Sequence, residues 1–318
     1  LIGRWFSWVF VPALAAAQDS VPPAPVHAHR PHRQHAAASA DSALRDSVLR
    51  TRWSAIAAEP VPTTALLPSH RIVAFYGNPM SKRMGVLGAY PVDTMLAHLD
   101  EKVAEWQSAD SATPVVPALH LIAVVAQGGP GGDGKYRARM PDTLVERVYS
   151  WAARRNALVF LDIQPGKSTV EAELPRLAPF LSRPNVHLAL DPEFAMSKGG
   201  LPGKRIGTID AADVNYAIKF LSGLIGDSLP PKILVIHRFR RPMLTHADQI
   251  VLDPKVQVVI DMDGFGTPSI KFGSYRKYVY ASPVQFTGWK QFFRQDVPHT
   301  AVADILKLTP VPVYIQYQ

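Results

Sequence analysis

From residue 71 onward, short apolar runs alternate with segments whose apolar positions return every three or four residues. The runs are RIVAFYGNP (71–79), ALHLIAVVAQG (118–128), ALVFLDIQPG (157–166), VHLALDPEF (186–194), KILVIHRF (232–239), VQVVIDMDGFG (256–266) and VPVYIQYQ (311–318). A less regular region framed by 275–280 and 288–294 supplies the seventh strand of the series. Strands that are apolar on both faces belong inside a parallel sheet covered by helices. Between them, 91–107 places Met95, Leu96, Leu99, Val103 and Trp106 on one helical face. Further helices are predicted over 142–156, over 171–181 with proline interruptions, over 210–225 with Thr208 or Asp210 as cap, and near 246–252. Eight alternating units predict an α/β chain closed into a (β/α)8 TIM-type barrel over 69–318. No dinucleotide fingerprint follows the first strand, which disfavours an open doubly wound sheet.

The first 68 residues break this pattern. Arg4 precedes an apolar run over 5–17 that ends in small residues, the layout of a secretory signal. If it is retained, the run is short for a bilayer span, and Trp5, Phe6, Trp8 and Phe10 suit an interface with membrane or partner. Residues 21–68 carry Pro22, Pro23, Pro25, Pro31, Pro60, Pro62 and Pro68 among Ala, Ser and His, with one amphipathic helix candidate over 41–58. Such a stretch buries too little to fold alone and reads as an extended tether. His27, His29, His32 and His35 are interleaved with Arg30 and Arg33 and have no carboxylate nearby, so they read as solvated linker rather than metal ligands.

Composition narrows the chemistry. The 318 residues are 47% hydrophobic and 19% charged, enough for one barrel-sized core. The absence of cysteine removes disulfides, thiolate metal sites, thiol catalysis and cysteine lipidation. The net charge of +8 favours an anionic membrane surface or an acidic partner, yet no basic stripe with interleaved aromatics points to nucleic acid. Gly129 to Lys135 has the spacing of a phosphate loop, but Tyr136 stands where Ser or Thr should bind magnesium, so the segment reads as a glycine loop over the barrel mouth. Neither a Gly-x-Ser-x-Gly elbow nor a His-Glu-x-x-His pair is present. Neither a cofactor nor a metal is expected.

The candidate chemistry lies where the apolar runs end. Residues two apart in a strand face the same way, so Asp162 shares a side with Gln164, Asp261 with Asp263, and Asp191 with Glu193 if the backbone stays extended. A barrel would bring these to one mouth together with Tyr76, Asn78, Gln127 and His237. Asp191, Glu193, Asp162 and Asp263 are the candidate catalytic carboxylates, able to divide acid and base or nucleophile roles in glycoside cleavage. Tyr76, Asn78, Gln127, Gln164, His237 and Asp261 are the candidate ligand-binding groups. The plainer alternative has the acids capping helices or pairing with Arg238, Arg240 and Arg241, and His237 as a satisfied core histidine.

The runs AFYGNP (74–79), VLGAYP (86–91), VVAQGGPGGDGKYRAR (124–139), LDIQPGKS (161–168), LALDPEF (188–194), PGKRIGTIDAADVN (202–215), IDMDGFG (260–266) and YIQYQ (314–318) resemble a largely uncharacterised group of exported bacterial barrel proteins, many of them surface lipoproteins. The resemblance covers nearly all of 71–318. It implies an exported, membrane-attached barrel and brings no particular reaction. The chain departs from that pattern in lacking a lipobox cysteine, and in carrying Arg238 where the group tends to have glutamine. A cation there would pair with the strand-end acids and silence the pocket. Two functions are therefore expected: a membrane-tethered extracytoplasmic, non-catalytic subunit of a membrane protein complex, photosynthetic or respiratory for example, strapped by residues 1–68; or a secreted glycoside hydrolase.

Overall fold

The structure, a computed structural model, describes residues 32–225 and 229–318, with side chains from residue 42 onward. Trp5, Phe6, Trp8, Phe10, His27 and His29 lie outside the described residues. The chain enters through helix α1 (His32–Ala58) and reaches β1 (Arg71–Gly77). Then follow α2 (Val86–Ala89), α3 (Val92–Ala109), β2 (Val115–Ala126), a short return strand β3 (Arg137–Arg139), α4 (Asp142–Ala153), β4 (Leu158–Ile163), α5 (Val170–Glu173), α6 (Ala178–Leu181) and β5 (Val186–Leu190). The second half holds β6 (Ile209–Asp210), α7 (Ala211–Ile225), β7 (Lys232–Arg238), β8 (Leu244–Thr245), β9 (Val256–Met262), α8 (Pro268–Ser274), β10 (Phe286–Gln291), α9 (Val302–Ile305) and β11 (Tyr314–Tyr317).

Eight of these strands close a ring in the order β1, β2, β4, β5, β7, β9, β10, β11 and back to β1, all parallel. This is the (β/α)8 barrel that the alternating pattern predicts. β1, β5, β7, β9 and β11 are buried along their whole length, as strands with helices outside and side chains inside must be. The lower interior is apolar, with Ile72, Ala74, Phe160, Val235 and Val259 in one cluster. Inward positions nearer the carboxyl ends turn polar, and the chemistry begins there.

The elements differ from the sequence pattern in three places. The seventh strand is β10 alone; Tyr275–Tyr280 continues α8 as a π-helical turn, where Tyr275 and Val279 bury against the barrel. No α-helix follows β7. The segment near 246–252 is a short 3₁₀ turn, Ala247–Gln249, pinned by Asn215, which donates to the Gln249 carbonyl and accepts from Val251 N. Helix α1 begins at His32 rather than at residue 41, because the alanine-rich run after Pro31 is strongly helix-forming and no proline interrupts it.

Nor is the segment before the barrel a loose tether throughout. Trp53 is buried on the barrel flank and its Nε1 donates to the Tyr280 carbonyl at 2.9 Å. Leu67 is fully buried as the plug of the lower barrel opening. The Gln257 amide grips its backbone at both ends, accepting from Leu67 N at 3.0 Å and donating to Leu67 O at 2.6 Å. The folded unit thus includes the plug and the docked helix.

Trp53→Ala is expected to destabilise the protein by about 3 kcal/mol and Leu67→Ala by about 2–5 kcal/mol in urea unfolding, because each leaves a cavity in packed surroundings. Losses below about 0.5 kcal/mol would mean that residues 32–68 hang free of the barrel.

Candidate active site at the barrel mouth

The carboxyl ends of the strands surround a cavity of about 290 Å³. Tyr76, Gln127, Gln164, Asp191, Glu193 and Asp263 line it, as the parity of the strands predicts. Lys290 lines it as well, a residue that the apolar pattern did not flag. Below this floor sits a second polar set that is wholly buried: His120, Asp162, His237, Asp261 and Gln316.

Lys290 is the cation of the upper set. It comes from β10, is only 3% exposed, and its Nζ lies 2.9 Å from Asp263 Oδ1 and 4.0 Å from the centroid of the Tyr76 ring. Burial opposes its charge, but Asp263, Asp191 and Asp261 outweigh burial and raise its pKa. Its neighbour Gly288 also faces inward. A side chain at Gly288 would meet Asp261 Oδ1 at 2.6 Å, so glycine there is what gives the Asp261 carboxylate its room. The rim between β9 and β10 is fixed by a buried ion pair. Lys271 Nζ donates to Asp296 Oδ2 at 2.7 Å and to the carbonyls of Gly264 and Lys290 at 2.9 and 2.6 Å. Asp296 in turn accepts from Gly266 N, Gln291 Nε2 and Phe292 N.

Gln164 ties three strands together. Its Oε1 accepts from Ala126 N at 3.1 Å, while its Nε2 donates to Asp191 Oδ2 at 3.0 Å and to the Tyr76 hydroxyl at 3.2 Å. The Tyr76 hydroxyl donates onward to Asp162 Oδ2 at 3.1 Å. Asp191 caps the 3₁₀ turn Pro192–Phe194 by accepting from Glu193 N, so the extended backbone expected there is broken, yet both carboxylates still reach the cavity.

Burial sets the protonation of the acids. Asp191 is pushed well above the usual carboxylate range by burial and then by Asp162, Glu193 and Asp263. Glu193 is raised to about 7 by burial and Asp263, against the pull of Lys290 and Arg240. Asp162 and Asp263 are raised by burial, with His237 and Lys290 pulling both the other way. In the lower set, Asp261 is raised to about 7 by burial. His237 is drawn down to about 4 by burial despite Asp162 and Asp263 nearby, and His120 is lowered by burial and by Lys290. Both imidazoles are therefore neutral, with Nδ1 of His120 beside the Tyr314 hydroxyl at 2.6 Å and Nδ1 of His237 3.2 Å from Asp261 Oδ2. His120, Asp162 and His237 are the described residues whose donor atoms converge closely enough to hold a metal ion.

Three expectations fail. Asn78 does not reach the cavity; its amide donates to the Ile122 carbonyl at 3.0 Å and accepts from Met80 N at 2.8 Å, closing the turn after β1. Arg238 points out of the barrel, since its neighbour His237 points in, and donates to the carbonyls of Arg241 and Leu244. Among the described residues it forms no ion pair with the strand-end acids, and the buried cation at the mouth is Lys290. Residues 128–136 do not line the cavity. That loop leads into β3, whose Arg137 and Arg139 clamp the buried Glu173 at 2.8 and 2.7 Å. His237 and Asp261 do lie under the mouth, but beneath its floor rather than on its surface.

No protein-family model matches this sequence, and no curated protein matches it.

Glu193 gives the site a pH signature. Its folded pKa of about 7 lies above the reference value of 4.5, so the unfolded chain releases this proton first as pH rises. Its contribution to stability is full below pH 4.5 and is lost by about pH 7. Relative to Glu193→Gln, the wild type is expected to lose up to about 3 kcal/mol between pH 4.5 and 7.5. Parallel unfolding curves of the two proteins across that range would contradict the assignment.

Proposed function

We propose that the chain is an extracytoplasmic barrel, attached to a membrane through its N-terminal 68 residues, that serves as an extrinsic accessory subunit of a membrane protein complex such as a photosynthetic or respiratory assembly. The observation that carries this reading is the seating of α1. Trp53 fixes the helix to the barrel, so a leader held by a membrane or a partner would also hold the barrel. On the opposite face of the same helix Leu44 and Val48 are 66% and 53% exposed, one turn apart, and offer an apolar stripe to a second surface. Among the described residues no helix is long and apolar enough to cross a membrane, so this reading assigns attachment to the leader. The resemblance to exported barrel proteins and the net charge of +8 agree with it. The mouth suits a non-catalytic role too, because Gln164, Tyr76 and Lys290 already engage Asp191, Asp162 and Asp263.

A second reading has its own observation. Glu193 lines the cavity with a pKa of about 7, suited to a proton donor at neutral pH, while Lys290 favours the charged form of Asp263 in the same cavity. Burial raises both carboxylates, and Asp263 is the one that also holds a direct ion pair with Lys290. Phe265, Phe292, Gln127 and Gln318 around them offer ring faces and amides to a sugar. In this reading the chain cleaves glycosides, Glu193 protonating the leaving oxygen and Asp263 acting as base or nucleophile.

Removal of residues 1–31 keeps Trp53 and Leu67. It is expected to release a folded barrel from native membranes and to abolish co-purification with a larger particle. Leu44→Glu combined with Val48→Glu is expected to reduce that co-purification severalfold, and an undiminished yield in both proteins would overturn the subunit reading. Glu193→Gln is expected to leave assembly unchanged. A glycosidase activity that falls by about 10²–10⁴-fold in this variant would instead establish the second reading.

A further inference from the structure

Under the cavity floor, three fully buried donors face one another without hydrogen bonds between them. His120 Nε2 and His237 Nε2 have no hydrogen-bond partner, although both residues are 0% exposed, and the Asp162 oxygen nearest them, Oδ2, accepts from the Tyr76 hydroxyl. Asp162 Oδ2 lies 3.7 Å from His120 Nε2 and 3.6 Å from His237 Nε2. Those separations are too long for an N–H···O bond. They match the spacing of two ligands that share one ion at about 2.0–2.1 Å with an angle near 120°.

The outer contacts set the rings for such a role. His237 Nδ1 lies 3.2 Å from Asp261 Oδ2, so its proton belongs on that side and the Nε2 lone pair points at Asp162. His120 Nδ1 meets the Tyr314 hydroxyl at 2.6 Å, with the Gln316 amide beside it at 2.9 Å. The Gln316 amide nitrogen only donates, so His120 Nδ1 accepts there and an ion bound at Nε2 would displace that atom's proton. The Nε2 lone pair of His237 and the Asp162 carboxylate repel in a dry interior, and a cation between them relieves that repulsion.

We infer that His120, Asp162 and His237 form a binding site for one divalent first-row transition-metal ion, with zinc as the ion best matched to two imidazoles and a carboxylate. Tyr76, which donates to Asp162 and lines the cavity, is the side chain that connects this set with the mouth. The site stands whether or not the mouth turns over a ligand.

The test uses the full chain without an affinity tag. His27, His29, His32 and His35 are replaced by alanine so that they cannot bind metal on their own. After chelator treatment, titration with Co²⁺ is expected to saturate at one equivalent and to replace the pale spectrum of the aqua ion with the stronger visible absorption of a low-coordinate site. Zn²⁺ should displace the Co²⁺ and raise the melting temperature. Tyr314→Phe, which removes the outer contact to His120 together with an acceptor for the Gln316 amide, is expected to weaken Co²⁺ binding by about 10–100-fold. His120→Gln and His237→Gln should abolish binding. An aqua-type spectrum with the parent chain at about 1 mM Co²⁺, which would mean an affinity weaker than about 4 kcal/mol, overturns the assignment. Saturation unchanged in folded His120→Gln and His237→Gln does the same. If those two variants fail to fold, the parent spectrum and Tyr314→Phe decide.

Discussion

An ammonium group buried among carboxylates governs this barrel. Lys290 is nearly inaccessible to water, and an isolated charge in that position would be prohibitively costly. It persists because ring closure brings Asp263 to 2.9 Å and places the face of Tyr76 beneath it. The acids depend on the cation in return. Without it, Asp191, Glu193 and Asp263 would meet at one mouth with only protonation to relieve their repulsion. Cation and acids come from different strands, so this balance exists only when the ring is closed.

The rest of the structure keeps that arrangement rigid. Leu67 and the Gln257 amide seal the lower opening, Gly288 yields its space to Asp261, and the Lys271–Asp296 pair locks the ends of β9 and β10 beside Asp263 and Lys290. Gln164 then links β1, β2 and β5 through one amide. The mouth is in this sense preorganised: its polar groups are held by partners on neighbouring strands rather than by water. In the lower layer, by contrast, His120, Asp162, His237, Asp261 and Gln316 each keep a buried polar atom without a hydrogen-bond partner.

The sequence made the barrel legible because most of its strands are continuous apolar runs, and three of them, β4, β5 and β9, stop at an acid. Asp162, Gln164, Asp191, Glu193 and Asp263 were readable for the same reason, since a carboxylate breaking such a run lies at the carboxyl end. Lys290 was not. It lies in FTGWKQ, where Trp289 faces the helices while Gly288 and Lys290 face inward, so no apolar run marks the strand. His120 was hidden in the middle of its run; alternation from Ala118 places it inside the barrel. The same alternation, counted from His237, excludes Arg238 from the mouth. The docking of Trp53 and the plug at Leu67 are long-range contacts, and their partners Tyr280 and Gln257 lie about two hundred positions away in a chain whose local pattern says nothing of them.

A double-mutant cycle between Lys290→Met and Asp263→Asn, read by urea unfolding at neutral pH, tests the dependence of the acids on the buried cation most directly. The account predicts a loss of about 3–5 kcal/mol for Lys290→Met alone. It also predicts a coupling between the two positions above about 1.5 kcal/mol. Additive effects, within about 0.5 kcal/mol, would show that the carboxylates hold their places without the lysine and would contradict it.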